Sequence, residues 1–328
     1  MALSLSSEMI QNILDHFAAV KVLVVGDIML DQYWFGETQR ISPEAPVPIT
    51  KIENTEIRAG GAANVARNIS SLGANASLLS ITGEDHPASQ LEKLLQESHV
   101  IPHFIRDKTL TTTIKLRVIA RQQQLLRIDF EDEPSEEATR RLKKAYIDLI
   151  QQHDAVIFSD YDKGGLKHVS KLLQIAKQEG RLVLIDPKGD DYKKYQGADM
   201  ITPNRSELKA VIGNWQNEKE LTKKAMALRE KLHIKSLLLT RSEEGLSLYQ
   251  RHWSGHDATV PQEVFDVSGA GDTIIAAATL ALAIGLSNQL LMRIANAAAG
   301  VVVSKLGTAT CSKAELMQKL LSIEKVDQ

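Results

Sequence analysis

The stretch DVSGAGDT, residues Asp266–Thr273, is followed by an apolar, alanine-rich run from Ile274 to Ile284. Two glycines around a small alanine predict a tight turn, and the apolar run predicts the helix that this turn opens. The first N–H groups of a helix lack partners within it, and the helix dipole makes that end positive. Because small residues let an anion approach the backbone, the stretch predicts an anion-binding helix start.

Asp272 follows this glycine turn directly, so it lies beside the predicted anion site. A carboxylate there would repel a bound anion unless it has a chemical task. Taking a proton from a nucleophile next to a phosphate is such a task. A helix cap on a glycine turn explains the four residues Gly-Ala-Gly-Asp equally well, because short motifs are weakly specific.

The composition is that of an ordinary globular chain. Of the 328 residues, 43% are hydrophobic and 24% are charged, which suits one large α/β domain or two smaller ones. The net charge of −2 does not favour a nucleic-acid or membrane partner. A single cysteine, Cys311, excludes an intrachain disulfide, as is typical of a reducing cytosol.

The N-terminal segment from Met1 to Val20 carries Glu8 and Asp15 and has no long apolar core. It predicts an amphipathic helix rather than a signal peptide. The chain has no run of about 18 apolar residues, so we expect no transmembrane helix and a cytoplasmic protein.

Strands and helices alternate along most of the chain. A buried strand over 21–26 comes first, and strands are predicted at 76–82, 155–158, 182–185, 200–201, 236–240 and 245–249. This alternation predicts an α/β fold with a mostly parallel sheet flanked by helices. Segments 33–57 and 109–130 depart from it and predict a small β-strand lid, the second as a hairpin around Arg121-Gln122-Gln123. We expect a single domain over 1–328.

Polar residues gather where the predicted strands end. In open α/β sheets, active sites lie at the carboxyl ends of the strands. A single aspartate after a strand is usually a turn former, but its repetition at successive strand ends favours a site. The residues concerned are Asp27, Asp31, Asp160, Asp186, Lys188, Asn204, Glu207 and Thr240.

Several common phosphate and catalytic motifs are missing from the sequence. It contains no Gly-x-x-x-x-Gly-Lys-[Ser/Thr] loop, no Gly-x-Gly-x-x-Gly after the first strand and no Gly-x-Ser-x-Gly elbow. His252 and His256 are four apart, but Trp253-Ser254-Gly255 between them indicates a loop. Without a glutamate partner, this pair does not favour zinc.

Three segments in order resemble the ribokinase-like (PfkB) family of sugar kinases, and the resemblance covers nearly the whole chain. They are Ala59–Ala66, with its Gly60-Gly61 pair, the Asn-x-x-Glu element Asn204–Glu207, and Asp266–Thr273. Within the last segment, Val267-Ser268 stands where Thr-Thr is commoner in the family. The serine keeps a hydroxyl, so we expect activity to survive.

Further segments are similar to the heptose 7-phosphate kinases of this family: Val25–Trp34, Arg40–Pro48, Ser159–Gly164, Asp186–Gly189 and Asn296–Thr308. The resemblance implies ATP-dependent phosphorylation of D-glycero-D-manno-heptose 7-phosphate at O1, in ADP-heptose synthesis for the lipopolysaccharide core. Many such kinases are fused to a nucleotidyltransferase. The chain stops at Gln328 without a His-x-Gly-His motif, so we expect a stand-alone kinase.

The resemblance also implies catalytic and metal-binding roles. Asp272 would deprotonate the anomeric hydroxyl, and the amides of Gly269, Ala270 and Gly271 would hold the transferring phosphoryl group. Asn204 and Glu207 would order Mg²⁺ and its waters around the ATP phosphates. A capping box at a helix start explains the last pair as well. Whether a monovalent cation also assists the reaction stays an open alternative.

Substrate contacts follow from the same resemblance. Asp31, Gly60, Gly61 and Asn64 would bind sugar hydroxyls, with Asp160 as a further sugar contact. The 7-phosphate needs cations, for which the candidates are Arg117, Arg121, Arg127, Lys163 and Lys188. Adenine would lie among Thr240, Gly245, the loop of the 260s and Asn296.

We expect the exposed lid strands to pair two chains in a homodimer, because open sheet edges are often covered by a partner. Two other functions stay open: another sugar or sugar-phosphate kinase of the same fold, and a non-catalytic sugar-phosphate-binding regulator. The regulator would be expected to lack Asp272 or the pair Asn204 and Glu207, and all three are present.

Overall fold

The computed structural model describes residues 6–121, 123–260 and 263–326. In this part of the chain the strands are β1 (Lys21–Gly26), β2 (Ile28–Ile41), β3 (Pro48–Gly61), β4 (Asn75–Gly83), β5 (Ile101–Asp107), β6 (Ile114–Ala120), β7 (Gln123–Phe130), β8 (Ala155–Ser159), β9 (Leu182–Asp186), β10 (Met200–Ile201), β11 (Ser236–Thr240), β12 (Leu246–Gln250) and β13 (Trp253–Asp257).

The helices in the same residues are α1 (Ser7–His16), α2 (Ala62–Ser71), α3 (His86–Glu97), α4 (Glu136–Ile150), α5 (Val169–Gln178), α6 (Arg205–Ile212), α7 (Glu218–Lys231), α8 (Ala270–Ala283), α9 (Asn288–Val303) and α10 (Lys313–Val326). None of the described helices is both long and apolar enough to cross a membrane.

The main sheet has nine strands in the order β13-β12-β11-β10-β9-β8-β1-β4-β5. It is parallel from β11 to β5, while β12 and β13 add antiparallel pairs at one edge. Alternate residues of β1 enter two different cores. Val22 and Val24 pack with α1, α2, α3, α8, α9 and α10, whereas Leu23 and Val25 pack with α4, α5, α6 and α7. Burial on both faces explains the continuous apolar run of this strand.

A second sheet has four strands in the order β3-β2-β6-β7. Strands β2 and β6 pair in parallel, and the two outer pairs are antiparallel. The inner end of β2 joins this sheet to the main one, because β2 begins at Ile28, directly after β1. Several large apolar side chains of the second sheet are exposed, among them Trp34, Leu126, Ile128 and Phe130.

The structure confirms the predicted α/β class, with a mostly parallel sheet, flanking helices and a small second sheet. The loop predicted at Trp253–Gly255 is wrong, because these residues belong to β13 and pair with β12. His256 of that strand lies 3.0 Å from the Ser247 hydroxyl. Among the described residues no cluster of His, Cys, Asp and Glu is arranged to hold a metal ion.

Two strands and one helix lie outside what the sequence predicted: β5, β13 and α4. Asp31 does not simply follow the first strand but sits within β2 of the small sheet. The single domain over 1–328 stays a prediction. Residues 1–5 of the predicted N-terminal helix and Gln122 of the predicted hairpin turn lie outside the described residues.

Candidate active site

A cavity of about 220 Å³ lies where the carboxyl ends of β8, β9, β10 and β11 meet the start of α8. Parallel strands bring their carboxyl ends to one edge, so the polar residues that follow them converge there. The lining residues are Asp160, Tyr161, Asp186, Pro187, Lys188, Thr202, Asn204, Glu207, Thr240, Gly269, Gly271 and Asp272.

The turn before α8 depends on Gly269. This residue caps the helix with φ of +80°, a conformation that favours glycine, and a Cβ there would lie 2.7 Å from the Asn64 amide nitrogen. Gly269 and Gly271 line the cavity, whereas the amide of Ala270 donates to the Val267 carbonyl at 3.3 Å. The helix start is therefore shaped to let an anion approach.

Asp272 lies in the first turn of α8 and is 4% exposed. Its Oδ1 accepts a hydrogen bond from the Tyr161 hydroxyl at 2.9 Å, and its Oδ2 accepts one from the Asn64 amide at 2.7 Å. Burial raises the pKa of Asp272 to about 6, although both hydrogen bonds act to lower it. A carboxyl group with this pKa is suited to accept a proton near neutral pH.

The glycine pair before α2 lets the Asp31 side chain and the backbone of Asp27 come close. A Cβ at Gly60 would collide with the Asp31 carboxylate, and one at Gly61 would lie 2.5 Å from the Asp27 carbonyl oxygen. Asn64 in the first turn of α2 is fully buried, and its Oδ1 has no hydrogen-bond partner among the described residues. A buried acceptor without a donor is costly, so a ligand hydroxyl at this position would be favourable.

Arg117 on β6 is the predicted phosphate ligand that reaches Asp31, one of the predicted sugar-binding residues. Its guanidinium donates to Asp31 Oδ1 at 2.6 Å and stacks over the Tyr33 ring, with 5.2 Å to the centroid. The Asp31 hydrogen bond and charge help to raise the pKa of Arg117 against the effect of burial. The neighbouring Lys115 lies beside Asp31 in the β2–β6 register.

The other predicted cations have carboxylate partners or lie elsewhere. Arg127 pairs with Asp129 at 2.9 Å, Lys163 pairs with Glu131, and Arg121 is exposed in the turn between β6 and β7. These three do not line the Asp272 cavity.

Asn204 and Glu207 form a capping box at the start of α6. Asn204 Oδ1 accepts a hydrogen bond from the backbone N–H of Glu207 at 2.9 Å, and Glu207 Oε2 accepts one from the backbone N–H of Asn204 at 3.0 Å. Lys188 donates to Glu207 Oε1 at 3.2 Å. The side-chain oxygens of Asn204 and Glu207 fit a hydrated hard cation, because each of these oxygens keeps a further lone pair. Burial raises the pKa of nearby Asp186 well above its usual range, and repulsion by Asp272 and Glu207 adds to this.

Asp160 lines the cavity, but its carboxylate is already engaged by the protein. Oδ1 accepts from the Asp162 amide at 2.8 Å, and Oδ2 accepts from Lys194 at 2.8 Å and from the Tyr195 hydroxyl at 2.6 Å. These bonds fix the loop after β8, so the geometry supports an anchoring role for Asp160 more directly than a sugar contact.

The residues predicted to surround adenine fall into two places. Thr240 lines the Asp272 cavity. Asn296 lines a separate cavity of about 190 Å³ and donates to Asp257 Oδ2 at 2.7 Å. Gly245 packs against the end of β13, where a Cβ would collide with the Asp257 carbonyl. In the loop of the 260s, Pro261 and Gln262 lie outside the described residues.

The sequence did not predict the roles of three residues in the site. Tyr161 donates a hydrogen bond to Asp272, Asp27 accepts one from the backbone of Tyr161, and Lys115 lies beside Asp31. The sequence marks Asp27 as a polar residue at a strand end, within the Val25–Trp34 segment, but does not predict that it holds the loop that carries Tyr161. An aromatic residue after a strand is usually a packing residue. The only sequence feature that pointed to Tyr161 is its position next to Asp160 in the polar segment after β8.

Comparison with known proteins identifies the family. The model of the pfkB family carbohydrate kinases matches residues 19–315. A protein named D-beta-D-heptose 7-phosphate kinase, from Bordetella bronchiseptica, is 46% identical over 302 residues, which cover 92% of this chain and 96% of that protein.

Longer proteins named bifunctional protein HldE are similar as well. The one from Psychromonas ingrahamii is 46% identical over 95% of this chain, and the one from Vibrio cholerae is 47% identical over 93%. The chain spans 66% and 64% of the length of these two relatives.

Solved structures share the fold. Phosphofructokinase-2 from Escherichia coli, in complex with potassium, has a TM-score of 0.79 at 21% identity, covering 93% of this chain and 99% of that one. Ribokinase from Arabidopsis thaliana, complexed with ribose and ATP, has a TM-score of 0.73 at 20% identity, covering 92% and 98%. The fold is thus the predicted ribokinase-like one, and with the family match over residues 19–315, this chain belongs to the pfkB family of carbohydrate kinases.

Proposed function

We propose that this protein transfers the γ-phosphoryl group of ATP to O1 of D-glycero-D-manno-heptose 7-phosphate. The observation that carries the proposal is Asp272, a buried carboxylate at a helix start that accepts hydrogen bonds from Asn64 and Tyr161. The other carboxylates that line its cavity are Asp160, Asp186 and Glu207, which lie at or after strand ends. The substrate is taken from the heptose 7-phosphate kinase that is 46% identical over 96% of its length.

In the proposed reaction Asp272 accepts the proton of the anomeric hydroxyl as O1 attacks the γ-phosphorus. The bond from the γ-phosphorus to the bridging oxygen breaks, and ADP leaves with the electron pair. The products are the 1,7-bisphosphate, ADP and the proton on Asp272, which later passes to solvent. Gly269 and Gly271 lie where backbone amides would stabilise the charge on the transferring group, with Ala270 beside them at the first helical position.

Asn204 and Glu207 would hold Mg²⁺ through its water shell beside the ATP phosphates. The cation would neutralise phosphate charge and offset the crowding of carboxylates around Asp186. Lys188, which pairs with Glu207 at 3.2 Å, would lie next to the same phosphates. Thr240 lines this cavity, and we place the adenine end toward Gly245 and Asn296.

The sugar would lie between the base and the small sheet. Asn64 Oδ1 offers a buried acceptor that has no partner within residues 6–121, 123–260 and 263–326, and Asp31 offers the oxygen that Arg117 does not contact. Gly60 and Gly61 keep this space open, and Asp160, which lines the Asp272 cavity, would be a further sugar contact. Arg117 is the cation that we assign to the 7-phosphate, since its fork suits phosphate and it already lies beside the sugar-binding carboxylate.

We further propose a homodimer in which the small sheets of two chains cover each other. The exposed side chains of Trp34, Leu126, Ile128 and Phe130 supply an apolar surface of the kind that partners bury. A mass measurement in solution tests this: the dimer mass supports the proposal, and a monomer mass at micromolar concentration contradicts it. From the similarity to heptose 7-phosphate kinases, we propose that the product enters ADP-heptose synthesis in the cytoplasm. We also propose that the enzyme uses a monovalent cation as a further cofactor.

The deciding experiment is ADP release from ATP and Mg²⁺ with heptose 7-phosphate, fructose 6-phosphate, ribose and adenosine. The wild type is compared with Asp272→Asn and with Asp148→Asn, an exposed aspartate of α4 that serves as the matched control. We expect turnover on heptose 7-phosphate alone, a loss of about 10²–10⁴-fold in Asp272→Asn and wild-type rates in Asp148→Asn.

Preference for another sugar would keep the kinase and its base but replace the substrate. Heptose 7-phosphate that binds without any turnover would instead support the non-catalytic regulator. A wild-type rate in Asp272→Asn would contradict the assignment of the base.

A further inference from the structure

Tyr161 contacts the carboxylate of Asp272, and the sequence motifs described above assign no role to this contact. Tyr161 belongs to the loop between β8 and α5, and its hydroxyl donates to Asp272 Oδ1 at 2.9 Å. Asn64 occupies the other oxygen of the same carboxylate at 2.7 Å. With one donor on each oxygen, the carboxylate is fixed against rotation about its last bond, and each oxygen keeps one lone pair for other partners.

The backbone of Tyr161 is held from below by Asp27. The Asp27 carboxylate accepts hydrogen bonds from the amides of Tyr161 at 3.1 Å, Lys163 at 3.1 Å and Gly165 at 3.0 Å. Asp27 is 5% exposed at the end of β1, so the loop is tied to the rigid main sheet. The tyrosine is thus positioned by the core of the protein and does not depend on a ligand.

The ring of Tyr161 is also confined. A Cβ at Gly61 would lie 3.4 Å from ring atom Cε2, so the glycine leaves the space in which the ring packs. The Lys115 ammonium lies 5.9 Å from the ring centroid on the side of the small sheet. Contacts from the end of β3, from β6 and from the loop therefore aim the hydroxyl at Asp272.

We infer that Tyr161 is a positioning residue for the proposed phosphoryl transfer: through Oδ1 it fixes the orientation of the Asp272 carboxylate and favours its ionised form. This inference rests on the proposed role of Asp272 as the base. Tyr161 itself exchanges no proton, because burial and the neighbouring Asp272 raise its pKa well above the usual range.

The other charged and titratable groups around Asp272 define what the loss of the hydroxyl would do. Asp31 on β2 repels the ionised form, whereas Lys115 on β6 stabilises it. Ionised Asp272 in turn helps burial to raise the pKa of Asp186 on β9. Since Tyr161 also stabilises the ionised form, its removal raises the pKa of Asp272. The fraction of active, ionised base then falls by the largest factor below pH 6 and hardly changes above pH 8.

The test is Tyr161→Phe, which removes only the hydroxyl. We expect the acidic limb of kcat/KM against pH to move upward by about one pH unit. With the pKa of Asp272 moving from about 6 to about 7, kcat should fall about fivefold at pH 6 and about twofold at pH 7, while KM for the sugar stays nearly constant. The matched control is Tyr192→Phe, a buried tyrosine whose hydroxyl has no partner among the described residues, and it should leave the profile unchanged.

A titration of the ligand-free enzyme separates this inference from the proposed function. With ¹³C-labelled aspartate carboxyls, the Asp272 signal is identified by its absence in Asp272→Asn, and its midpoint should rise in Tyr161→Phe. If the wild type does not turn over heptose 7-phosphate, the proposed substrate fails while this shift is still measurable. An unmoved Asp272 midpoint, or an equal loss of kcat at every pH with a lowered Tm, would overturn the positioning role.

Discussion

Asp272→Asn should remove activity and at the same time stabilise the ligand-free protein at alkaline pH. Burial raises the pKa of Asp272 from 3.8 to about 6, so the fold binds this proton more tightly than the unfolded chain does. The stabilising effect of the proton is fully present below pH 3.8 and is lost as the pH rises through about 6. At pH 8 the folded protein therefore holds an unfavourable buried charge.

The magnitude follows from the same two values. At about 1.4 kcal/mol per pKa unit, the rise corresponds to about 3 kcal/mol of free energy of unfolding. Asparagine keeps the shape, and both hydrogen bonds can persist, since its oxygen accepts from Asn64 and its amide donates to the Tyr161 hydroxyl oxygen. With an unfolding entropy of about 0.7 kcal/mol/K for a chain of this length, Tm should rise by about 4 °C.

The assay is thermal unfolding of wild type and Asp272→Asn without ligands, at pH 8 and at pH 4.5. We expect the variant to be more stable at pH 8 and the difference to shrink to about one third at pH 4.5, where the folded wild-type carboxyl is protonated but the unfolded one is still mostly ionised. Asp148→Asn on the surface of α4 serves as the control and should match the wild type at both values. An Asp272→Asn protein with equal or lower Tm at pH 8 would refute the reasoning from burial.

Three further substitutions test the site and its support. Gly61→Ala should lower Tm more than Gly285→Ala, because both positions have positive φ but only at Gly61 would the added Cβ meet backbone; equal losses would contradict this. Arg117→Gln should raise KM for the sugar phosphate about tenfold, because it removes the cation that we assign to the 7-phosphate together with the partner of buried Asp31, and an unchanged KM would exclude the assigned contact. Asp199→Asn should lower the free energy of unfolding by about 1–3 kcal/mol in urea and leave kcat unchanged, since its carboxylate joins two lysines and a strand amide away from the cavity.

Much of the fold could be predicted because its signals are local. The apolar run of β1, the glycine turn before α8 and the capping residues of α6 each lie within about ten residues of sequence. Strands β5 and β13 could not be predicted in this way. Their composition, with Pro102 in one and Ser254 and Gly255 in the other, is poor for strands, and hydrogen bonds to β4 and β12 hold them in place.

The sequence by itself determined the family, the order of the strands and helices, and which residue types stand at the strand ends. These follow from periodicity and from short motifs, which depend on neighbours along the chain. Only the tertiary structure decided which side chains meet. Asn64 and Tyr161 reach Asp272 across 208 and 111 residues of sequence, and the resulting burial sets the pKa of that carboxyl. Desolvation and hydrogen-bond geometry depend on three-dimensional neighbours, so no local pattern could have specified them.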